Sequence, residues 1–137
     1  MPKVLVVDDE PSMVKVLSGF LAQEKIPCVT ASSGEAALRV LHADDIGVIV
    51  TDLKMTGMDG LQLLEHALNI DRSLQVILMT AHGTADLAEA ARALGAFAVI
   101  DKPFDMGEVG PLAERASGHR HAPSTIGRSA ETTRRTP

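Results

Sequence analysis

Five short runs of aliphatic and β-branched residues, Lys3–Val7, Pro27–Ala31, Gly47–Thr51, Gln75–Thr80 and Ala98–Ile100, alternate with longer segments of helical character. This rhythm constrains the fold more than any other feature of the chain. The runs read as continuous Val, Ile and Leu without apolar/polar alternation, so each strand is expected to be buried on both faces. Parallel strands with helices on either side satisfy that requirement, because every strand-to-strand crossover places a helix over the sheet. The class predicted is α/β, a doubly wound five-stranded parallel sheet.

The intervening segments carry their own punctuation. The first helix is expected from Pro11 to Glu24, with proline at an early position and Met13, Leu17, Phe20 and Leu21 along one stripe. The second starts at Ser32 or Ser33 as N-cap and buries Ala36, Ala37, Val40 and Leu41. The third begins near Asp59 and uses Leu61, Leu64 and Leu68, and the Ala-rich fourth runs from about Thr84 to Leu94 with Gly95 as its stop. After Asp105, Gly107, Gly110 and Pro111 fall where a helix interior should be, which predicts a short or distorted fifth helix, or one started afresh at Pro111. One domain is expected over residues 1–117. From Gly118 to Pro137 the text is Gly, His, Arg, Pro, Ser and Thr without apolar period, and it reads as a flexible tail or linker.

Composition removes several function classes. Up to Ser117 there are nine Lys and Arg against seventeen Asp and Glu, while the last twenty residues carry +3. An acidic body without Trp or Tyr has neither the basic patch nor the stacking platform that nucleic acid requires. The longest apolar run, Ala93 to Ile100, is far too short to span a bilayer. The amino terminus lacks the pattern of a secretory signal and Cys28 has no second cysteine to pair with, so a reducing cytoplasm is the expected setting.

In an open parallel sheet, function gathers in the crevice beyond the carboxyl ends of the strands. The first strand ends there in Asp8-Asp9-Glu10, the third in Thr51-Asp52, the fourth in Thr80-Ala81 and the fifth in Asp101-Lys102-Pro103. Two like charges about 4 Å apart repel by roughly 4 kcal/mol at an effective dielectric near 20, so clustered carboxylates need a cation. Hard oxygen ligands suit Mg²⁺ or Mn²⁺. Asp8 and Asp9 are adjacent and cannot both aim at one point from a regular strand; at its end one can bind directly and the other through water. Asp52 is the candidate nucleophile, since carboxylates accept phosphoryl groups as aspartyl-phosphates. The Thr80 hydroxyl and the Lys102 ammonium would neutralise charge on the transferring group.

These blocks, VLVVDDEPSM, TDLKMTGMDG, LMTAHG and GAFAVIDKPF, resemble the response-regulator receiver domains of bacterial two-component signalling, over residues 3–116. The TAHG and GAF…KPF wording is similar to receivers of transcription activators that work with alternative sigma factors through an AAA+ ATPase. The resemblance implies a flavodoxin-like strand order 2-1-3-4-5 and a phosphoacceptor switch, regulatory in character, with slow self-dephosphorylation. It implies Asp52 as phosphoacceptor, Asp8, Asp9, Asp52 and the Lys54 backbone carbonyl as ligands of Mg²⁺ or Mn²⁺, Thr80 following the phosphate and Lys102 pairing with it. Lys54 and His82 would tune water access to the acyl phosphate. The implied partners are a sensor histidine kinase or phosphotransfer protein, an output domain or protein outside this chain, and a second copy in a homodimer; kinase docking would use the first helix, near Val14 and Val16, and the loop after Lys102.

Three departures from the family pattern stand out, the expected irregularity of the fifth helix being one. Where most relatives have Met-Pro-Gly, this chain has Met55-Thr56-Gly57, which frees one backbone N–H and is expected to loosen the turn without touching a ligand. Val99 occupies a switch position that is usually Tyr or Phe, whose ring turns inward as the threonine closes on phosphate; valine cannot report in that way. Two rival readings stay open on the sequence: a receiver-like interaction module that is not phosphorylated, left alive by Val99, and, more distantly, an aspartyl-phosphate phosphatase of the haloacid-dehalogenase type. The latter expects Asp-x-Asp after the first strand, where this chain has Asp8-Asp9-Glu10.

Overall fold

The backbone of residues 3–81 and 83–121 is described by a computed structural model, and the side chains by the same stretches up to residue 118. Five parallel strands, β1 (Lys3–Val7), β2 (Cys28–Ala31), β3 (Ile46–Asp52), β4 (Gln75–Thr80) and β5 (Ala98–Asp101), form one sheet in the order β2-β1-β3-β4-β5. The helices are α1 (Pro11–Gln23), α2 (Gly34–Ala43), α3 (Gly60–Ile70), α4 (Ala85–Ala93) and α5 (Val109–His121). Every residue of β3 is buried, as the continuous apolar text requires of a central strand covered on both faces. Two apolar layers result. Leu5, Val7, Ile49, Leu78 and Val76 pack with Leu63, Leu64 and Ala67 of α3, and Val4, Val6, Val48, Val50, Ile77 and Met79 pack with Leu17 and Leu21 of α1 and Ala113 and Ala116 of α5.

Local chemistry fixes the helix starts. Ser33 Oγ accepts from the Ala36 N–H at 3.0 Å and Thr84 Oγ1 from the Leu87 N–H at 3.1 Å. Asp59 and Gln62 form a reciprocal capping box. Gly95, with φ +111°, closes α4 in a backbone conformation that residues with a Cβ rarely adopt. Burial pushes the Cys28 thiol up, away from the reactive thiolate.

The structure corrects three expectations. The fifth helix neither stays short nor restarts at Pro111. A 3₁₀ turn, Met106–Glu108, with Asp105 accepting from the Gly107 N–H, leads directly into the thirteen residues of α5. Pro111 falls in the first turn, where an N–H has no intrahelical partner to lose. The helix also passes Gly118 and reaches His121, beyond the expected start of the tail; the rest of that segment, residues 122–137, lies outside the described residues. Finally, Phe20 does not join the buried stripe of α1. Leu17 and Leu21 are fully buried, whereas Phe20 is 39% exposed beside Val16 at 44%.

Candidate functional site

The parallel register brings the ends of β1, β3, β4 and β5 to one rim. Val7 pairs with Thr51, Asp52 with Met79 and Thr80 with Asp101, so Asp8, Asp52, Thr80 and Lys102 follow one another across the sheet edge. Backbone hydrogen bonds fasten this rim: the Leu53 N–H donates to Met79 O at 2.8 Å, and the Lys102 N–H to Thr80 O at 2.7 Å. The Lys102–Pro103 peptide is cis.

Asp52 sits at the end of the buried strand with its residue surface 9% exposed, enclosed yet open to a small reactant. Lys102 Nζ lies 3.0 Å from Asp52 Oδ1. Thr80 is buried beside them on β4. One oxygen each of Asp8, Asp9 and Asp52 lies within 4.8 Å of the others. Asp8 is 1% exposed; its Oδ1 accepts from the Glu10 N–H at 2.9 Å, and its Oδ2, alone among the buried side-chain polar atoms of the described residues, has no partner. Burial holds the Asp8 carboxyl above its ordinary pKa, aided by the charges of Asp52 and Asp9 and opposed by the Glu10 N–H and Lys102.

An orphaned buried carboxylate oxygen on a member of a three-carboxylate cluster is costly unless a cation completes it. The donor set is all hard oxygen and too small for an all-protein cage, which fits an ion that keeps several waters, as Mg²⁺ does. The residues present therefore fit the divalent ion that the sequence predicted.

Sequence reasoning missed two contributors. The Thr56 N–H, freed by the absence of proline, is not idle: it donates to Asp9 Oδ2 at 2.9 Å, so this departure reaches one of the candidate ligands. The other is Gly60. A Cβ there would stand 2.6 Å from Asp52 O and 2.9 Å from Leu53 Cα, so only glycine lets α3 begin directly against Asp52. Lys54 is exposed in the loop after Asp52, and Val99 is half-buried on β5 against the α3 side of the core. His82 lies outside the described residues.

The family model for the response regulator receiver domain matches residues 4–112. The chain belongs to that family. A receiver domain is a phosphoacceptor signalling switch, and the receiver is 41% identical over 116 residues to the DNA-binding transcriptional regulator NtrC of Escherichia coli, covering 85% of this chain and 25% of that protein. It is 33% identical over 107 residues to sporulation initiation phosphotransferase F of Bacillus subtilis, covering 78% of this chain and 86% of that one. The solution structure of the beryllofluoride-activated NtrC4 receiver domain dimer superposes with a TM-score of 0.81 at 31% identity, over 88% of this chain and 99% of that one. The chain thus spans about a quarter of the length of the NtrC-type relatives it matches. No helix among the described residues is long and apolar enough to cross a membrane.

Proposed function

We propose that Asp52 is the phosphoacceptor of this receiver and takes its phosphoryl group from a phosphohistidine of a sensor kinase or phosphotransfer protein. A carboxylate oxygen of Asp52 attacks phosphorus, the P–O bond forms as the P–N bond breaks, and the departing imidazole nitrogen keeps the electron pair and takes a proton. Lys102, already 3.0 Å from Oδ1, neutralises the negative charge that arrives with the group. Thr80, fixed on β4 beside Asp101, offers its hydroxyl to a phosphoryl oxygen once the group is in place. Asp8, Asp9, Asp52 and the Lys54 carbonyl would hold Mg²⁺ or Mn²⁺, which when bound supplies positive charge to the phosphoryl oxygens.

The observation that carries this reading is the buried Oδ2 of Asp8, unpartnered beside an Asp52 that already has its lysine. An interaction module that had abandoned phosphorylation would have no reason to keep three carboxylates together at the cost of mutual repulsion. The haloacid-dehalogenase reading gives way to the family membership.

Phosphorylation adds roughly −1.5 to −2 charge, taking an acyl phosphate to resemble other phosphoryl groups, and shifts a pre-existing balance of conformations. With Val99 in place of an aromatic ring, that shift is transmitted through backbone and Thr80 closure on the α4 side. Kinase docking uses the exposed Val16 and Phe20 of α1, one turn apart. The activated NtrC4 receiver is a dimer, and we extend homodimer formation to the phosphorylated form of this chain. Output passes to a domain or protein of a transcriptional regulator in the cytoplasm.

Beryllofluoride with Mg²⁺, which mimics an aspartyl-phosphate, tests the proposal. The chain has no Trp for fluorescence, so thermal shift and amide NMR are the readouts. Stabilisation that requires both reagents and vanishes in Asp52→Ala supports it; a wild type without response, or an equal response in Asp52→Ala, overturns it.

A further inference from the structure

We infer that the backbone N–H of Thr56 is a positioning group for the cation site, holding Asp9 in its ligand orientation and tying the loop after the acceptor to cation occupancy. The inference rests on the proposed reading of the rim as a Mg²⁺ site. Asp8 and Asp9 come from adjacent residues at the end of β1 but are held by different parts of the chain. Asp8 is buried and locked from within its own turn by the Glu10 N–H. Asp9 is exposed, and its carboxylate accepts from 47 residues away, from the Thr56 N–H at 2.9 Å.

The donor is itself well anchored. The loop of residues 53–59 is closed by the Gly60 N–H on Leu53 O at 2.8 Å and by the Asp59–Gln62 capping box. At its tip Gly57 adopts φ +80°. A free exposed aspartate samples several rotamers and must lose them when it binds a cation. A charge-assisted bond to a fixed amide removes that freedom beforehand. Each carboxylate oxygen has two lone-pair directions, so accepting from Thr56 does not exhaust the capacity of Asp9 to bind a cation or its water. Proline at this position would have no N–H to give.

The coupling runs in both directions: a cation that draws on Asp9 also alters the Thr56 amide, and the loop that carries Lys54 and Met55 is tied to the cation through a bond 47 residues long in sequence. The side chain of Thr56 takes no part, which separates this role from ordinary loop packing.

The test is the Mg²⁺ dissociation constant of the full chain, read by amide NMR without any phosphodonor. Thr56→Pro deletes the N–H and is expected to weaken Mg²⁺ by about fivefold, the scale of one solvent-accessible charge-assisted hydrogen bond. Thr56→Ala and Thr56→Val keep the N–H and are expected to bind within about twofold of wild type, a difference too small to count as a lost bond. In the wild type the Thr56 amide is expected to be protected from hydrogen exchange and to shift on Mg²⁺ addition, a readout that holds even where the proline variant fails to fold. Binding by Thr56→Pro equal to or tighter than wild type, or a Thr56 amide that exchanges as a free peptide, overturns the inference. If the wild type binds Mg²⁺ and Asp8→Ala abolishes it while Thr56→Pro is unaffected, the inference alone fails; if the wild type does not bind Mg²⁺, the reading of the site fails and takes the inference with it.

Discussion

Lys102 Nζ stands 3.0 Å from Asp52 Oδ1, at side-chain exposures of 22% and 13%, and this ion pair spans the sheet from β3 to the loop after β5. Asp52 lies among carboxylates, and Lys102 is its partner of opposite charge at contact distance. Lys102→Met is expected to lower stability in the absence of Mg²⁺ by about 1–2 kcal/mol, between the values of exposed and buried pairs. Urea unfolding with and without Mg²⁺ checks this: added Mg²⁺ should recover part of the loss, while beryllofluoride binding remains weakened.

Asp8 supplies the sharpest conflict between function and stability. Its carboxyl is held above the ordinary pKa by burial, so the charged form is less stable in the folded protein than in the unfolded chain. The penalty is fully present above the raised pKa, is relieved as pH falls from there toward the ordinary value of 3.8, and disappears below it, where both states are protonated. Asp8→Asn should therefore melt a few degrees higher than wild type at neutral pH without Mg²⁺, with the gap closing as the solution is acidified through that window. In saturating Mg²⁺ the order is expected to reverse, because only the wild type gains a ligand.

Gly60 tests how tightly Asp52 is held from below. A methyl group there meets the backbone of Asp52 and Leu53, atoms that cannot swing aside as a side-chain tip can. Gly60→Ala is expected to destabilise by about 2–3 kcal/mol, the scale of overpacking against a rigid neighbour. It should also shift the Asp52 amide resonance, whereas Gly19→Ala, with nothing nearby, should stabilise α1 slightly.

The α4 helix is lightly anchored. Only Ala91 of its nine residues is buried, so the cap at Thr84 matters more than usual. Thr84→Ala should cost about 1 kcal/mol of local stability, seen as faster amide exchange across Ala85–Ala93 with little change in β1 or β3.

Much of this architecture was legible in the text because the dominant forces are local and periodic. Continuous Val and Ile runs located each strand to within a residue or two, and Ser33, Asp59 and Thr84 marked three helix starts through their side-chain oxygens. Residues whose fate depends on distant neighbours were harder. Phe20 has the hydrophobicity of a core residue and the spacing of one, yet it lies exposed beside Val16, while Leu63 and Ala67 of α3 were overlooked. The sequence leaves Pro111 open as a helix breaker or a fresh start because the 3₁₀ lead-in that places it in a first turn has no strong sequence mark. Asp8, Asp9, Asp52, Thr80 and Lys102 could be mapped to one rim, since topology alone carries strand ends there. The Thr56 N–H could not, being a backbone donor to a carboxylate 47 residues away, nor could the crowding at Gly60, which depends on how the loop after Asp52 folds back against it.

Covalent capture of phosphate on one side chain tests the account most directly. Phosphoramidate offers the same P–N bond as a phosphohistidine, and intact-mass spectrometry in the presence of Mg²⁺ reads the product. A single phosphoryl adduct mapped to Asp52, absent without a divalent cation and absent in Asp52→Asn, is the predicted result. An adduct that persists in Asp52→Asn, or a wild type that never acquires one, contradicts it.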